Sequence, residues 1–307
     1  VQIPSLIKFK FVYKPDFRLT DPHIKQAILL AGPMLISTWV QPLYTIINSR
    51  LASGIDGAYS SLEYANRLYL IVTGVFSFVV TNLIFPKLSR ANASENRKEA
   101  QKLVTTSLKA IAIIIIPLMA GFMILSAPIT SLIYEHGEFN ESRVSVVAQA
   151  LGCYSAGMIG LAVNEILSKA FFSMQDSKTP MVNSIISMVF NIVAAYILFN
   201  FLHVNGLALA AAAGSICNAV LNGIVMAKKC PGALNKKDFI TIIKIIFAAA
   251  VMSAAVLAVY RWANPIFSGK TMKNIFTIAA CGISGVVVYG ALVWILKVDE
   301  IRALVKK

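Results

Sequence analysis

Arg67 is the residue whose chemical type fits its surroundings least. It precedes an uncharged apolar run, since no Asp, Glu, Lys or Arg occurs between Tyr69 and Phe85. A helix needs about 20 residues to cross the hydrocarbon of a bilayer, so counting back from Pro86 puts Arg67 inside the far end of a span. A cation there is costly and is by default a functional candidate. The guanidinium could equally extend to the nearer headgroups, with Tyr64 and Tyr69 as interfacial anchors.

Few other ionisable side chains fall inside the predicted spans. Glu165 and Lys169 are four residues apart, hence on one helix face. They either pair with each other or line an aqueous cavity together with Arg67. Three further basic residues lie near span ends, where long side chains reach the headgroups: Arg50, Lys109 and Lys244.

Amide side chains also occur within the apolar segments. In membrane helices they serve interhelical hydrogen bonds more often than ligand contacts; the set is Asn48, Asn66, Asn164, Asn191, Asn218 and Asn222. Asn48 and Asn191 could offer oxygen atoms to a cation, but no carboxylate accompanies them on their spans. We therefore expect neither a sodium site nor another metal site.

Catalysis and a cofactor are not expected either. The sequence contains no G-x-S-x-G, H-E-x-x-H or P-loop motif. Glu165 is the only carboxylate deep in a predicted span, so a paired acid and base is not available there.

Composition assigns the chain to the integral membrane proteins. Its 307 residues are 57% hydrophobic and only 14% charged, whereas soluble domains are about 25% charged. The net charge of +14 does not indicate nucleic-acid binding, because the basic residues lie in short loops between apolar runs. We expect an all-α polytopic membrane bundle of about eight transmembrane helices, over 24–51, 62–85, 105–125, 144–172, 181–202, 206–226, 239–260 and 275–296.

The loops differ in charge. Lys and Arg concentrate in the N-terminal segment, in 86–104, in 228–238 and in the C-terminal tail. An excess of Lys and Arg marks the cytoplasmic side, so both termini are predicted to be cytoplasmic and the acidic segment 135–141 to face outward.

Three parts are predicted along the chain. Residues 1–23 alternate basic and aromatic side chains, typical of an amphipathic connecting segment on a lipid surface, with a flexible linker as the alternative. Residues 24–227 form a six-helix bundle, and 228–307 form a final helix pair with a tail.

Several motifs, in order, carry a family resemblance. Residues 64–69 read Tyr-Ala-Asn-Arg-Leu-Tyr and resemble Y-A-D-R-L-x; residues 132–139 resemble L-L-F-E-R-G-A-F. Residues 167–172 with 176–180 resemble L-S-R-A-F-Y followed by D-T-R-T-P, and 203–210 resemble a G-x-x-G-L-A-L-A turn. Together they resemble the MurJ/MviN family of lipid II flippases, in the multidrug/oligosaccharidyl-lipid/polysaccharide (MOP) exporter superfamily.

The resemblance implies a fold of fourteen helices, two lobes of six plus a final pair. This chain would be the second lobe and the final pair, and the first lobe of the same protein would precede it. Arg67 matches an arginine that in the family faces the central cavity and engages the lipid II pyrophosphate, and Lys169 matches a frequent arginine. Asn66 replaces an Asp and Leu70 stands where some members have Glu, so a carboxylate partner for Arg67 is not implied.

The implied function is lipid II transport for peptidoglycan synthesis, from the inner to the outer leaflet of the bacterial cytoplasmic membrane, by alternating access. The expected partners are lipid II, membrane lipids and the first lobe. The candidate substrate-binding residues are Arg67, Asn66, Lys169, Glu165 and Asn48. Alternatives are another MOP transporter, such as a polysaccharide-lipid flippase or a drug/cation antiporter that uses Glu165, and a non-transporting scaffold that does not need Arg67.

Overall fold

The computed structural model describes residues 22–55, 57–94, 96–135, 141–230, 236–263 and 270–296, and these residues are helical almost throughout. The helices are α1 Pro22–Ala52, α2 Ala58–Val79, α3 Phe85–Ala93, α4 Arg97–Tyr134, α5 Glu141–Ser155, α6 Met158–Ser173, α7 Lys178–Leu202, α8 Val204–Lys229, α9 Lys236–Ala263 and α10 Lys270–Ile295. The all-α prediction is confirmed. Residues 1–21, most of the predicted connecting segment, lie outside the described residues.

The helices are long and apolar enough to form a polytopic bundle, as predicted. Six continuous helical segments in the described part of the chain are long and apolar enough to cross a membrane: Ala58–Ala93, Arg97–Tyr134, Lys178–Leu202, Val204–Lys229, Ile240–Ala263 and Thr271–Ile295. The pair α5 and α6, bent by 43°, makes a seventh. The remaining predicted span, 24–51, is helical throughout within α1 but is not among these segments.

The second predicted span does not end at Phe85. The helix passes through a π-helical turn, Val80–Ile84, and continues as α3. Pro86 lacks the N–H that would bond the carbonyl four residues earlier. The π turn shifts the register of the backbone hydrogen bonds just before Pro86. Pro86 then lies in the first turn of α3, where no N–H is needed.

The fourth predicted span, 144–172, is two helices. The chain bends between Ser155 and Met158, and α6 packs closely on α8. A Cβ atom on Gly160 would lie 2.6 Å from the Ile216 nitrogen, and one on Gly157 would lie 2.7 Å from the Ala212 Cα. The two glycines therefore allow a backbone approach that no other residue permits.

The final helix pair, α9 and α10, packs against α4 through its own apolar cluster. The cluster includes Ile116, Ile245, Met252 and Val293. The Tyr289 hydroxyl donates to the Ile113 carbonyl over 2.8 Å. That carbonyl lies four residues before Pro117, which has no N–H to offer it, so the tyrosine supplies the missing donor.

Two basic residues that we expected to extend to the headgroups are instead bound inside the protein. Lys109 Nζ lies 2.8 Å from Asp238 Oδ1, with side chains 17% and 12% exposed. Lys244 donates to the Leu296 carbonyl over 2.9 Å. The prediction was wrong for Lys109 because α9 places Asp238 beside it, and for Lys244 because Leu296, just after α10, offers its carbonyl. Both acceptors are far away in the sequence. Arg50 is exposed, as expected.

Candidate functional site

A cavity of about 340 Å³ lies between α1, α2, α7 and α8, and we call it the polar cavity. Many of its lining side chains are polar; they include Tyr44, Asn48, Glu63, Asn66, Ser187, Asn191 and Asn218. Two of the predicted site residues, Asn48 and Asn66, are therefore brought together here.

The sequence of α2 explains how its polar residues reach the cavity. Glu63, Asn66 and Leu70 are three and four residues apart, so they form one stripe of the helix. Leu62, Ala65, Leu68 and Tyr69 form the buried side. The helix starts at Gly57, whose φ of 71° suits glycine, and the Ser61 hydroxyl donates to the Gly57 carbonyl.

Arg67 lies beside the polar cavity's α2 wall and does not line the cavity. Its side chain is 66% exposed, and its Nε lies 3.5 Å from Glu63 Oε1. Glu63 lines the cavity, so this ion pair links Arg67 to the cavity edge. Sequence analysis missed Glu63. The spacing of four residues between Glu63 and Arg67 was the available signal, but Glu63 lies at the edge of the predicted span.

The end of α4 lies beside this ion pair. The Tyr134 hydroxyl donates to the Tyr64 carbonyl over 3.2 Å, and the two rings are 4.9 Å apart. These contacts fix the first turns of α2, and so the backbone that carries Glu63 and Arg67.

Two asparagines in the polar cavity have unsatisfied oxygen atoms. Asn48 Oδ1 and Asn191 Oδ1 are buried and have no hydrogen-bond partner among the described residues. Both side chains lie beside the Tyr44 hydroxyl, and Asn191 Nδ2 donates to the Ala210 carbonyl over 3.1 Å. Buried polar atoms are nearly always paired, so these two oxygens mark where the cavity can accept hydrogen bonds from a ligand or water.

Glu165 and Lys169 form an ion pair in a different place. Lys169 Nζ lies 3.7 Å from Glu165 Oε1 and about 6 Å from the ring centres of Phe85 and Phe172. Glu165 lines a smaller cavity, of about 190 Å³, between α2, α4 and α6, and Arg67 does not line it. The sequence left two interpretations open for Glu165 and Lys169. The structure shows the ion pair, and not a cavity that the two residues share with Arg67.

The other asparagines of the bundle mainly join helices to one another. Asn222 Nδ2 donates to Asn164 Oδ1 and to Asn218 Oδ1, over 2.6 and 3.1 Å. Its own Oδ1 accepts from Asn183 Nδ2 over 2.8 Å. Asn218 Nδ2 also donates to the Ser184 hydroxyl on α7 over 3.4 Å. These bonds connect α6, α7 and α8, so the expected interhelical use is confirmed for Asn164, Asn218 and Asn222.

The Asp176-Ser177-Lys178-Thr179-Pro180 motif has a structural use. Asp176 accepts hydrogen bonds from the Thr179 N–H over 3.0 Å, from the Thr179 hydroxyl over 2.6 Å and from Lys229 Nζ. Partial burial opposes ionisation, but the hydrogen bonds from Lys229 and Thr179 outweigh it and lower the pKa of Asp176. The carboxylate thus caps α7 and ties it to the end of α8.

The comparison with protein families decides the classification. The family described as "Lipid II flippase MurJ" matches residues 1–279. The chain belongs to the MurJ family. This is a family of flippases and not of enzymes, and it confirms the resemblance drawn from the motifs.

Curated relatives agree with the MurJ assignment. A "Probable lipid II flippase MurJ" of Rhizobium meliloti (strain 1021) is 30% identical over 267 residues, which cover 87% of this chain and 50% of the relative. The "Lipid II flippase MurJ" of Burkholderia cenocepacia is 26% identical over 312 residues, covering 96% of this chain and 58% of the relative. The chain thus spans about half the length of the curated relatives it matches.

Solved structures show the same fold. A "Lipid II flippase MurJ, inward closed conformation" aligns with a TM-score of 0.73 and 24% identity, over 97% of this chain and 59% of that one. An outward-facing multidrug resistance MATE family transporter of the MOP superfamily aligns with a TM-score of 0.58 and 14% identity, over 91% and 68%. The fold is thus the MOP-type helical bundle that the MurJ motifs implied.

In the described part of this MurJ-family chain, no group of three or more His, Cys, Asp or Glu side chains is arranged to hold a metal ion.

Proposed function

We propose that this chain is part of a lipid II flippase, which moves the undecaprenyl-pyrophosphate-linked peptidoglycan precursor from the inner to the outer leaflet of the bacterial cytoplasmic membrane. The family match over residues 1–279 carries this proposal. Because the chain spans about half of its relatives, transport is an activity of the complete protein, including a first lobe.

Arg67 is the proposed contact for the pyrophosphate. Its guanidinium is exposed on α2 and is held by Glu63 at 3.5 Å, longer than a tight charged hydrogen bond. A pyrophosphate offers more oxygen atoms and more charge than one carboxylate, so it competes well for the guanidinium fork. Glu63 keeps the empty site neutral and is displaced when the substrate arrives.

Of the other predicted site residues, Asn66 and Asn48 act on neutral parts of the substrate, and Lys169 acts on its charged part. Asn66 and Asn48 line the polar cavity, and the unpaired Asn48 oxygen can accept a hydrogen bond from a sugar hydroxyl or a peptide amide. Lys169 supplies a second positive charge when its pair with Glu165 opens.

The topology and the mechanism follow from the same proposal. Both termini of this chain lie in the cytoplasm, because the basic loops are on that side. Residues 24–227 form the second lobe, and 228–307 hold the final pair, beside which the lipid tail stays in the bilayer. The two lobes rock about the cavity in alternating access.

A second candidate is a MOP antiporter, supported by the fold shared with MATE transporters. Glu165 lines a small cavity inside the bundle, where an antiporter needs a carboxylate. The flippase is favoured because the family match and the curated relatives are all of the MurJ type.

Complementation tests the proposal. The complete gene that encodes this chain is expressed in a strain depleted of its own flippase. We expect growth with the wild type, no growth with Arg67→Ala, and growth with Arg50→Ala, a matched control because Arg50 is also exposed and near a helix end. Equal expression is checked by immunoblot.

Two results would contradict parts of the proposal. Failure of the well-expressed wild type to restore growth argues against a lipid II flippase. Growth with Arg67→Ala at equal expression removes Arg67 from the mechanism.

A further inference from the structure

A larger cavity, of about 1140 Å³, lies beside α3, which continues the helix that carries Arg67, and we call it the basic-end cavity. It is enclosed by α3, the first turns of α4, the last turns of α6 and the end of α8. Its lining residues include Asn92, Arg97, Gln101, Gln175, Lys229 and Cys230. Neither the proposed transport site nor the helix-joining asparagine network uses it.

The described lining of this cavity is positively charged. It contains Arg97 and Lys229 and no Asp or Glu. The Lys229 ammonium is bound by Asp176 and Thr179, so its charge is largely neutralised.

Arg97 supplies the remaining positive charge. The nearest carboxylate along α4, Glu99, accepts from Asn96 Nδ2 over 2.8 Å, and its N–H bonds Asn96 Oδ1. This capping box engages Glu99 in fixing the start of α4. In the part of the chain that the structure describes, no carboxylate lies within ion-pair distance of the exposed Arg97.

The inner wall of the cavity is apolar. Leu88, Val104, Ala170 and Met226 line it and are buried in one apolar cluster with Phe171. A cavity with a cationic rim and an apolar wall suits an amphipathic anion rather than a small hydrophilic one. Its volume also exceeds what a phosphate group alone would fill.

We propose that the basic-end cavity binds an anionic membrane lipid, with the phosphate on Arg97 and the upper acyl chains against the apolar wall. The cavity lies where α4 begins and α8 ends, and the excess of Lys and Arg in the sequence segments 86–104 and 228–238 predicts that cytoplasmic headgroups lie there. Guanidinium pairs with phosphate through two parallel hydrogen bonds. Gln101, one turn further along α4, adds an amide donor.

Native mass spectrometry of the complete purified protein provides the first test. Phosphatidylglycerol, phosphatidylcholine and inorganic phosphate are titrated separately. We expect preferential binding of one phosphatidylglycerol, weakened about tenfold by Arg97→Gln, since a hydrogen bond to a charged group contributes about 1.5–3 kcal/mol. Lys98→Gln, which removes the same charge one residue away and outside the lining, is expected to change affinity by less than about twofold.

Cys230 provides a second readout at the site itself. It lines the cavity and is partly exposed, whereas the partly exposed Cys153 lies elsewhere in the bundle. Maleimide labelling of each cysteine is followed by peptide mass spectrometry. We expect phosphatidylglycerol to slow labelling of Cys230 in the wild type, to have less effect in Arg97→Gln, and to leave Cys153 labelling unchanged.

Three outcomes overturn the inference: equal binding of phosphatidylglycerol and phosphatidylcholine, equal losses in Arg97→Gln and Lys98→Gln, or protection of Cys230 by inorganic phosphate but not by lipid. Thermal unfolding of each variant shows whether it is folded. Because Arg97 is not in the proposed transport site, either hypothesis can fail while the other stands.

Discussion

The polar cavity and the final helix pair use buried polar groups in opposite ways. Between α4 and the final pair, donors meet acceptors: Lys109 binds Asp238, and the Tyr289 hydroxyl satisfies the Ile113 carbonyl. Two threonine hydroxyls, of Thr130 and Thr277, are the buried exceptions in these helices. In the polar cavity, the amide oxygens of Asn48 and Asn191 have no partner among the described residues, and the Glu63–Arg67 ion pair at the cavity edge is long.

The contrast separates polar groups that hold helices together from groups that are free to bind. A buried polar atom left unpaired costs free energy, so the Asn48 and Asn191 oxygens do not stabilise the fold, and they line a cavity that a ligand can enter. Substitutions in the final pair should therefore lower stability, and substitutions in the polar cavity should lower transport while leaving stability nearly unchanged.

The largest loss of stability is expected when the Lys109–Asp238 ion pair, which joins α4 to α9, is broken. Asp238→Ala removes the carboxylate that lies 2.8 Å from the Lys109 ammonium, whose side chain is only 17% exposed. Breaking a buried pair from one side costs roughly 3 kcal/mol or more, which we expect as a large drop in melting temperature in detergent. The double variant Lys109→Met/Asp238→Leu should recover most of the loss. A single variant as stable as the double would contradict this explanation.

A somewhat smaller loss is expected where α6 packs on α8. In Gly160→Ala the new Cβ would lie 2.6 Å from the Ile216 backbone nitrogen, so the helices must separate. Overpacking of this kind costs about 1–3 kcal/mol. Gly223→Ala is the matched control, because nothing lies within 4 Å of its added Cβ. Equal melting temperatures for the two variants would show that the helices are not in such close contact.

An intermediate loss, dependent on pH, is expected at Asp176. Its folded-state pKa is lowered, so its stabilisation is present above the unfolded pKa of about 4 and is lost as the pH falls through the folded pKa. Asp176→Asn keeps an oxygen that can accept from Thr179 but removes the charge that binds Lys229, and it should cost up to about 1 kcal/mol near pH 7, the value of a partly exposed ion pair.

The measurement for Asp176 is denaturant unfolding of both proteins at pH 7 and pH 3. The difference between wild type and Asp176→Asn should shrink at the lower pH, and a constant difference would exclude the carboxylate charge as its cause. Lys178→Gln, an exposed neighbour, serves as the control.

The smallest stability change is expected in the polar cavity. Asn48→Leu removes an oxygen that has no partner, so unfolding should change by less than about 1 kcal/mol while complementation weakens. Asn222→Leu should destabilise more, by about 2 kcal/mol, because it removes the hydrogen bonds that join Asn222 to Asn164 and to Asn183 inside the bundle. If Asn48→Leu destabilised as much as Asn222→Leu, the difference between the two regions would disappear.

The sequence predicted the helices well because long apolar runs define them directly. It did not predict the break between Ser155 and Met158, since apolar periodicity continues across it. The Lys109–Asp238 pair joins residues far apart in the chain, so the position of Lys109 in its own span did not indicate its partner.

The candidate site was predicted only in part, because it too depends on contacts between residues that are far apart in the chain. Arg67 was singled out by its charge, and Glu63 could have been found from its spacing. Whether an asparagine joins helices or lines a cavity depends on its neighbours in other helices. Sequence alone therefore could not separate Asn48, which keeps an unpaired oxygen, from Asn222, which is fully bonded.

Lipid II binding to the complete protein, measured by native mass spectrometry, tests the role of Arg67 most directly. We expect Arg67→Ala to weaken binding about tenfold or more, since a hydrogen bond to a charged group contributes about 1.5–3 kcal/mol. Arg67→Lys should be intermediate, because it keeps the charge but not the fork, and Arg50→Ala should match the wild type. Equal affinity of wild type and Arg67→Ala would contradict the proposal that Arg67 binds the pyrophosphate.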